Sequence, residues 1–167
     1  MTLAYIGLGS NLQDPYQQLK TSVTAIAALP QSHLQAVSKV YRSAAVGPGE
    51  QPDYLNAVVR LETELPAETL LQKLQHIETS QGRVRQQHWG PRTLDLDILL
   101  FGNCAQSDPH LTLPHRYLAQ RNFVLYPLAD VCEQKLVLPD GVDLATLLKR
   151  CPRGDLQLTE LTLDSGC

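Results

Sequence analysis

The amino-acid sequence predicts an α+β fold in which helices pack on a mainly antiparallel sheet. Short apolar stretches with the alternation of β-strands are separated by two segments in which apolar residues recur every three or four positions. Their order along the chain is strand, helix, strand, strand, helix, strand. A length of 167 residues and a hydrophobic fraction of 43% provide enough apolar material for one core. We therefore predict a single domain over residues 1–167, with about 151–167 forming a C-terminal tail of unknown role.

The first strand and the first helix are indicated by their ends. An apolar run at residues 3–8 leads into Gly9-Ser10-Asn11, which is typical of a buried strand that ends in a turn. Asp14-Pro15-Tyr16-Gln17 then combines a capping side chain, a proline at the first helical position and a glutamine at the capping-box position. Apolar residues follow at helical spacing, so we predict a helix that ends near residue 29.

Two further strands and a loop are predicted next. Residues 34–43 and 54–64 show the apolar alternation that strands require. The loop between them carries two glycines and two prolines over residues 46–52. It is either a plain surface connection or a long excursion over a site, and composition favours neither.

The second half of the chain predicts a helix, one clear strand and a short last helix. Pro66 opens the helix, which has an apolar stripe and ends near Gly82. Residues 93–101 form the strand, and a leucine repeat after Asp140-Gly141 indicates the last helix. This order of elements is that of a ferredoxin-like αβ sandwich. We expect the helices to cover one face of the sheet and to leave the other face, or its loops, for ligands.

The clearest strand carries two aspartates. Alternation places Asp95 and Asp97 on the same face. The opposite face is predicted to carry Leu94, Leu96, Ile98 and Leu100. Residues two apart on a strand are separated by roughly 6.5 to 7 Å, so both carboxylates can reach one or two divalent cations, and oxygen ligands favour Mg²⁺. Alternatively, the two aspartates are simply solvated at the surface of the sheet.

Basic residues flank this strand on both sides. They are Arg83, Arg85, His88 and Arg92 before it, and His110, His115, Arg116 and Arg121 after it. Carboxylates that hold Mg²⁺ beside guanidinium groups are typical of a site for a polyphosphate, and ATP is the obvious candidate. The chain contains no G-x-x-x-x-G-K-[ST] segment, which excludes a P-loop ATPase.

Composition excludes several other classes. The net charge of −3 argues against a protein that coats nucleic acid. The four cysteines form no C-x-x-C pair, so neither a zinc knuckle nor a disulfide framework is expected. The chain starts without a basic leader and has no long apolar run, so we expect a cytoplasmic protein that does not bind membranes.

The segment from His88 to Leu99 resembles the signature of the 6-hydroxymethyl-7,8-dihydropterin pyrophosphokinase family. The similarity also includes Gly9-Ser10-Asn11-Leu12, Gln51-Pro52-Asp53-Tyr54-Leu55-Asn56, Leu113-Pro114-His115 and Pro139-Asp140-Gly141. It implies a transferase of folate synthesis, a diphosphokinase that moves pyrophosphate from ATP to the hydroxymethyl group of 6-hydroxymethyl-7,8-dihydropterin and releases AMP. It further implies two Mg²⁺ ions. Independently of the resemblance, we expect no nucleic-acid or membrane partner, and a monomer.

The resemblance also implies a set of site residues. The implied catalytic residues are Arg83, Arg92 and Asp97, and the implied ligands of Mg²⁺ are Asp95 and Asp97. ATP contacts are implied at Gln75, Glu78, Arg85, Arg92, Ile98, His110, Thr112, His115 and Arg121. Pterin contacts are implied at Ser43, Val46, Tyr54, Asn56, Trp89, Asp95 and Phe123.

Some positions depart from the family pattern, and two other functions stay open at this point. His110 and Arg116 stand where the pattern has an arginine and a tyrosine, and Ser43-Ala44-Ala45 replaces a proline-bearing turn. A metal-dependent nuclease could also use paired aspartates and arginines. A non-catalytic ferredoxin-like module that binds a small ligand would leave the aspartates merely solvated.

Overall fold

A computed structural model describes residues 1–12, 14–44, 52–81, 94–132 and 136–163. The strands are β1 (Thr2–Ser10), β2 (Ser32–Val37), β3 (Tyr41–Ser43), β4 (Tyr54–Thr63), β5 (Asp95–Phe101), β6 (Gln106–Ser107), β7 (Thr112–Leu113) and β8 (Gln157–Leu158). The helices are α1 (Pro15–Ala27), α2 (Ala67–Ser80), α3 (Asn122–Val131) and α4 (Leu144–Arg150), with a single 3₁₀ turn at Leu118–Gln120. No helix of the described ranges is long and apolar enough to cross a membrane.

The main sheet confirms the predicted ferredoxin-like fold. Its strand order is β5-β1-β4-β3-β8, and β2 also pairs with β4. All of these pairings are antiparallel. Strands β1 and β4 lie at the centre, so residues on these two strands and on β5 form neighbouring rows across the sheet.

The strand predicted over residues 34–43 is two strands, β2 and β3, separated at Ser38. The Ser38 amide donates to the Val58 carbonyl at 2.9 Å. The Ser38 hydroxyl in turn accepts from the Val58 amide at 2.8 Å. The Ser38 hydroxyl accepts the hydrogen bond that a backbone carbonyl would accept in a regular ladder. The ladder is therefore interrupted here without leaving the buried Val58 amide unpaired.

Helix α1 starts as predicted, with one difference in its cap. The Gln17 amide donates to Asp14 Oδ1 at 3.4 Å, and Pro15 occupies the first turn. The side-chain amide of Gln17, however, donates forward to Thr21 Oγ1 at 3.2 Å. The side chain of Gln17 therefore bonds within the helix, where a capping box would direct it back towards Asp14.

Helices cover parts of both faces of the sheet, so the expectation that they lie on one face was wrong. Helices α1 and α2 pack on the first face, in a core cluster that includes Leu19 and Leu74. Helices α3 and α4 pack on the second face, in a cluster that includes Leu128 and Leu144. The predicted order of elements has no helix at α3, which contains Pro127, a residue that normally ends or kinks a helix.

An irregularity between β1 and β5 changes the predicted faces of β5. The register shifts between Tyr5 and Ile6, so that Ile6 pairs with Ile98 while Tyr5 pairs with Leu100. Ile98 belongs to the core on the first face, whereas Leu99 and Leu100 both belong to the core on the second face. The prediction that Leu100 shares a face with Ile98 was therefore wrong, because a β-bulge breaks strict alternation.

Candidate active site

The pairing of three strands places the predicted site residues in rows on the second face. Gly9 of β1 pairs with Asn56 of β4 on one side and with Asp95 of β5 on the other. In the next row Gly7 lies opposite Asp97. Strands in a sheet are about 4.8 Å apart, so Asn56 and Asp95 are separated by roughly 10 Å across the glycine.

The two glycines leave space between these polar groups. A β-carbon at Gly9 would lie 3.5 Å from Asn56 Oδ1, and a β-carbon at Gly7 would lie 3.3 Å from Leu99 Cδ2. Any larger side chain at Gly9 would therefore occupy the floor between Asn56 and Asp95. Both glycines line a cavity of about 760 Å³, whose wall is formed by residues of the 115–124 segment. This volume is in the range of small-molecule sites.

Asn56 is buried and held in place on the floor of the cavity. Its side chain is buried, with 4% exposed, and its amide nitrogen donates to Ser43 Oγ at 2.8 Å. Ser43, Tyr54 and Asn56 all line the cavity. A fixed amide with a carbonyl oxygen and a second N–H can recognise the donor and acceptor edge of a planar heterocycle.

His115 is a neutral group beside Asp97. Its backbone amide donates to the Leu99 carbonyl at 2.9 Å, and its Nδ1 accepts from the Tyr117 amide at 3.2 Å. Because Nδ1 is an acceptor, the proton of the neutral ring is on Nε2, which lies 4.0 Å from Asp97 Oδ1. Burial, followed by the nearby charges of Arg121 and Arg116, lowers the pKa of His115 to about 4. At neutral pH this contact is therefore not an ion pair.

Arg121 stands among aromatic rings on the wall of the cavity. Its guanidinium carbon lies 4.8 Å from the centre of the Tyr117 ring and 5.5 Å from the centre of the Phe123 ring. These are distances of cation–π contacts. All three residues line the cavity, so the wall offers a cation and flat apolar surfaces side by side.

The two carboxylates fit a hard divalent cation. Asp95 is half-buried and Asp97 is 49% exposed, and both line the cavity. Within the described residues, no cluster of three or more His, Cys, Asp or Glu side chains is arranged to hold a metal. A pair of carboxylates with remaining coordination positions is the usual protein contribution to Mg²⁺ that also binds substrate phosphates.

The structure brings together about half of the predicted site residues. Those that line the cavity are Ser43, Tyr54, Asn56, Asp95, Asp97, His115, Arg121 and Phe123. Those that do not line it are Gln75, Glu78, Ile98, His110 and Thr112. Five predicted residues lie outside the described part of the chain: Val46, Arg83, Arg85, Trp89 and Arg92.

Glu78 and Ile98 are interior residues in this structure. Glu78 is 2% exposed, and its carboxylate accepts from the Leu96 amide of β5 at 2.8 Å. Ile98 belongs to the core cluster on the first face. Ile98 thus points from β5 to the face opposite the cavity, Glu78 binds β5 from α2, and the predicted ATP contacts at these positions stay predictions.

Sequence reasoning missed the glycines of the floor and part of the wall. The sequence predictions give Gly7 and Gly9 no role in a site: both are assigned to the end of the first strand, and Gly9 is also part of the family resemblance. No prediction includes Tyr117 or Gln120. The glycines have a visible signal, because glycine alternates with large apolar residues from Ile6 to Gly9. Such alternation indicates a strand with one packed face and one face left empty for a ligand.

The sequence of this chain is similar to those of known proteins. The family model of 7,8-dihydro-6-hydroxymethylpterin-pyrophosphokinase matches residues 5–133. The chain belongs to this family. A 2-amino-4-hydroxy-6-hydroxymethyldihydropteridine pyrophosphokinase of Pseudomonas aeruginosa is 50% identical over 148 residues, which are 89% of this chain and 91% of the relative. A pyrophosphokinase of the same name from Haemophilus influenzae is 48% identical over 150 residues, covering 90% of this chain and 93% of the relative.

Solved structures agree on the fold. A crystal structure described as HPPK-DHPS in complex with substrates matches 90% of this chain with a TM-score of 0.70 and 11% identity. The wild-type HPPK-DHPS of Plasmodium falciparum with pteroate also matches 90%, with a TM-score of 0.66 and 13% identity. This pyrophosphokinase chain spans less than half of those chains, 45% and 42% respectively, and at such identity the likeness concerns the fold alone.

Proposed function

We propose that this chain transfers pyrophosphate from ATP to the hydroxymethyl group of 6-hydroxymethyl-7,8-dihydropterin, giving AMP and the pterin diphosphate in folate biosynthesis. Membership of the pyrophosphokinase family supports this reaction and gives no support to a nuclease or a non-catalytic module. The structural observation that carries the proposal is the row from Asn56 through Gly9 to Asp95, which joins an amide suited to a heterocycle with a carboxylate suited to Mg²⁺.

The pterin is proposed to lie flat on the glycine floor. Asn56 would pair with its amide edge, and Tyr54 and Phe123 line the same cavity and would contact the faces of the ring. The separation of roughly 10 Å across the row lets a bicyclic ring reach from Asn56 towards Asp95. In this position the hydroxymethyl group would point at the carboxylates.

The phosphates of ATP are proposed to bind at the other end of the cavity. Asp95 and Asp97 would hold two Mg²⁺ ions, which supply charge neutralisation and polarise the phosphate oxygens when bound. Arg121 faces the cavity and adds a permanent positive charge. His115, which is uncharged at neutral pH, would donate a hydrogen bond from Nε2.

The reaction forms one bond and breaks one bond. The pterin hydroxymethyl oxygen attacks the β-phosphorus of ATP, and the bond from that phosphorus to the oxygen bridging the α-phosphate breaks, so AMP leaves with the electron pair. The hydroxyl proton passes to water or to Asp97. His115 is a poor acceptor for it, because its pKa of about 4 makes the ring a weak base.

We also propose that a single chain is the working unit. We propose the cytoplasm as its location, where both substrates are small dissolved molecules.

The test is to incubate the purified protein with ATP, Mg²⁺ and 6-hydroxymethyl-7,8-dihydropterin and to separate the nucleotides. AMP formed in step with pterin diphosphate is the expected result. ADP in place of AMP would show transfer of the γ-phosphoryl group and would overturn the proposal. Absence of both products in an assay where a relative is active would overturn it as well.

A further inference from the structure

The chain after α4 forms a strap, residues 152–163, that contacts both α3 and β3, two elements whose residues Phe123 and Ser43 line the cavity. It starts beside α3, pairs through β8 with β3, and ends on α1, where the Tyr16 hydroxyl donates to the Thr162 carbonyl at 2.6 Å. Leu156 and Leu163 of the strap are buried. The strap is therefore anchored to the domain by these two leucines and by its hydrogen bonds, while most of its other residues are exposed.

The first contact of the strap is with the start of α3. The side-chain amide of Asn122 donates to the Arg153 carbonyl at 2.7 Å and, more weakly, to the Pro152 carbonyl at 3.5 Å. Asn122 lies between Arg121 and Phe123, and both of these neighbours line the cavity. One turn later, the Tyr126 hydroxyl donates to the Cys151 carbonyl, just before the strap, at 3.2 Å. The direction in which Phe123 enters the cavity is thus tied to the strap.

The second contact of the strap is with β3. Leu158 pairs with Tyr41, and both the amide and the hydroxyl of Thr159 donate to the Val40 carbonyl, at 3.0 Å and 2.8 Å. Strand β3 ends at Ser43, whose hydroxyl accepts from the Asn56 amide. The strap therefore also supports the strand that orients Asn56.

We propose that the strap positions the pterin half of the cavity, and that Asn122 is the positioning residue through which it sets the direction of Phe123. The inference rests on the proposed pterin placement. The strap lies beyond residues 5–133, which the family model matches. The contacts of the strap given above are with α1, α3 and β3, whereas the two carboxylates lie on β5.

This arrangement predicts a split between the two substrates. Loss of the Asn122 bond should let the start of α3 move and should weaken pterin binding. Binding of ATP should change less, because Arg121 has a second support in the Tyr117 ring, 4.8 Å from its guanidinium. Loss of one such hydrogen bond corresponds to an increase in the pterin Kd of about three- to tenfold.

The experiment compares the full-length protein with its Asn122→Ala and Tyr16→Phe variants. Tyr16→Phe is the matched control, because it also removes a hydrogen bond to a strap carbonyl but at the other end of the strap, on α1, which contributes no residue to the cavity lining. The pterin Kd is measured by titration in the presence of a non-hydrolysable ATP analogue with Mg²⁺, and the Kd of the analogue is measured separately. Amide hydrogen exchange is followed at Val124 and Leu125, whose amides bond to the Arg121 carbonyl.

The expected result is a raised pterin Kd and faster exchange at these two amides in Asn122→Ala, with both quantities unchanged in Tyr16→Phe. Unchanged pterin Kd in Asn122→Ala would overturn the inference, and so would an equal increase in Tyr16→Phe, which would indicate general loosening. Hydrogen exchange tests the strap inference separately from the proposed function. If exchange rises as expected in Asn122→Ala while the wild type makes no AMP, the strap contact stands and the assigned reaction fails. Unchanged exchange in Asn122→Ala overturns the strap inference even where turnover is normal.

Discussion

Replacing Gly9 by alanine tests the floor of the cavity directly. The new methyl group would lie 3.5 Å from Asn56 Oδ1 and 3.7 Å from Tyr54 Cδ1, which are ordinary contact distances. The folded protein should therefore accept it. Replacing a glycine in an accessible conformation usually stabilises a protein by about 0.4–1 kcal/mol, because the unfolded chain loses freedom.

Pterin binding and turnover should respond in the opposite direction. A methyl group on the floor would lift a flat ring away from Gly9 and shift it by about 1 Å relative to Asn56 and the carboxylates. A displacement of that size costs on the order of a hundredfold in turnover, or about 2.7 kcal/mol of transition-state stabilisation. The expected outcome for Gly9→Ala is thus a protein that melts no earlier than the wild type but has greatly reduced kcat/KM for the pterin.

Calorimetry and steady-state kinetics measure the two quantities. Gly7→Ala is the comparison, because its methyl group would press on Leu99 at 3.3 Å, so its main cost should be in stability. Wild-type kcat/KM for the pterin in a folded Gly9→Ala protein would refute the proposal that the ring lies on this glycine. A large loss of stability in Gly9→Ala would refute the packing argument.

Three further predictions concern single side chains. Asp97→Asn should keep the melting temperature of the wild type, because the side chain is 49% exposed. It should lower kcat by at least about a hundredfold through loss of a Mg²⁺ ligand. Retained turnover would contradict the metal assignment. The pKa of His115 is about 4 in the folded protein and near 6.5 in the unfolded chain. Without Mg²⁺ or nucleotide, the free energy of unfolding should therefore have its full value above about pH 6.5 and should fall by up to roughly 3 kcal/mol as the pH drops towards 4. Urea titrations of the wild type and of His115→Gln across that pH range measure the free energy of unfolding. If this free energy depends on pH equally in both proteins, the prediction is contradicted. Burial raises the pKa of Cys132 to about 11, so near pH 8 only about one thiol in a thousand is ionised. Alkylation of Cys132, followed by mass spectrometry, should therefore be about two orders of magnitude slower than alkylation of a free thiol. Similar alkylation rates would show that the Cys132 thiol is not buried as described.

The sequence predicts the parts of this fold that depend on local patterns. Asp14 and Pro15 define the start of α1, and the alternation around Asp95 and Asp97 correctly places both carboxylates on one face. The approximate positions of β1, β4 and α2 are likewise confirmed, because their apolar periods extend over many residues.

Other features depend on contacts between distant segments and leave no local signal. The break at Ser38 exists because its hydroxyl meets the Val58 amide, and the reversed face of Leu100 exists because β1 and β5 slip by one residue. Helix α3 tolerates Pro127 because its buried side packs on the second face of the sheet, where Leu125 and Leu128 are fully buried. Tertiary packing thus overrides the local rule that proline ends a helix.

The pairing of β8 with β3 also bears on how the molecule avoids association with its own copies. Without β8, the outer side of β3 would present backbone donors and acceptors to solvent, and such an edge is a template for another strand. With β8 in place, the outer side of β3 is paired, and the strand that lies beyond it has only two residues, Gln157 and Leu158, which is too short to recruit a neighbour effectively. We therefore predict that a protein shortened before residue 152 forms oligomers through β3 at concentrations where the full chain stays dispersed, as sedimentation would measure.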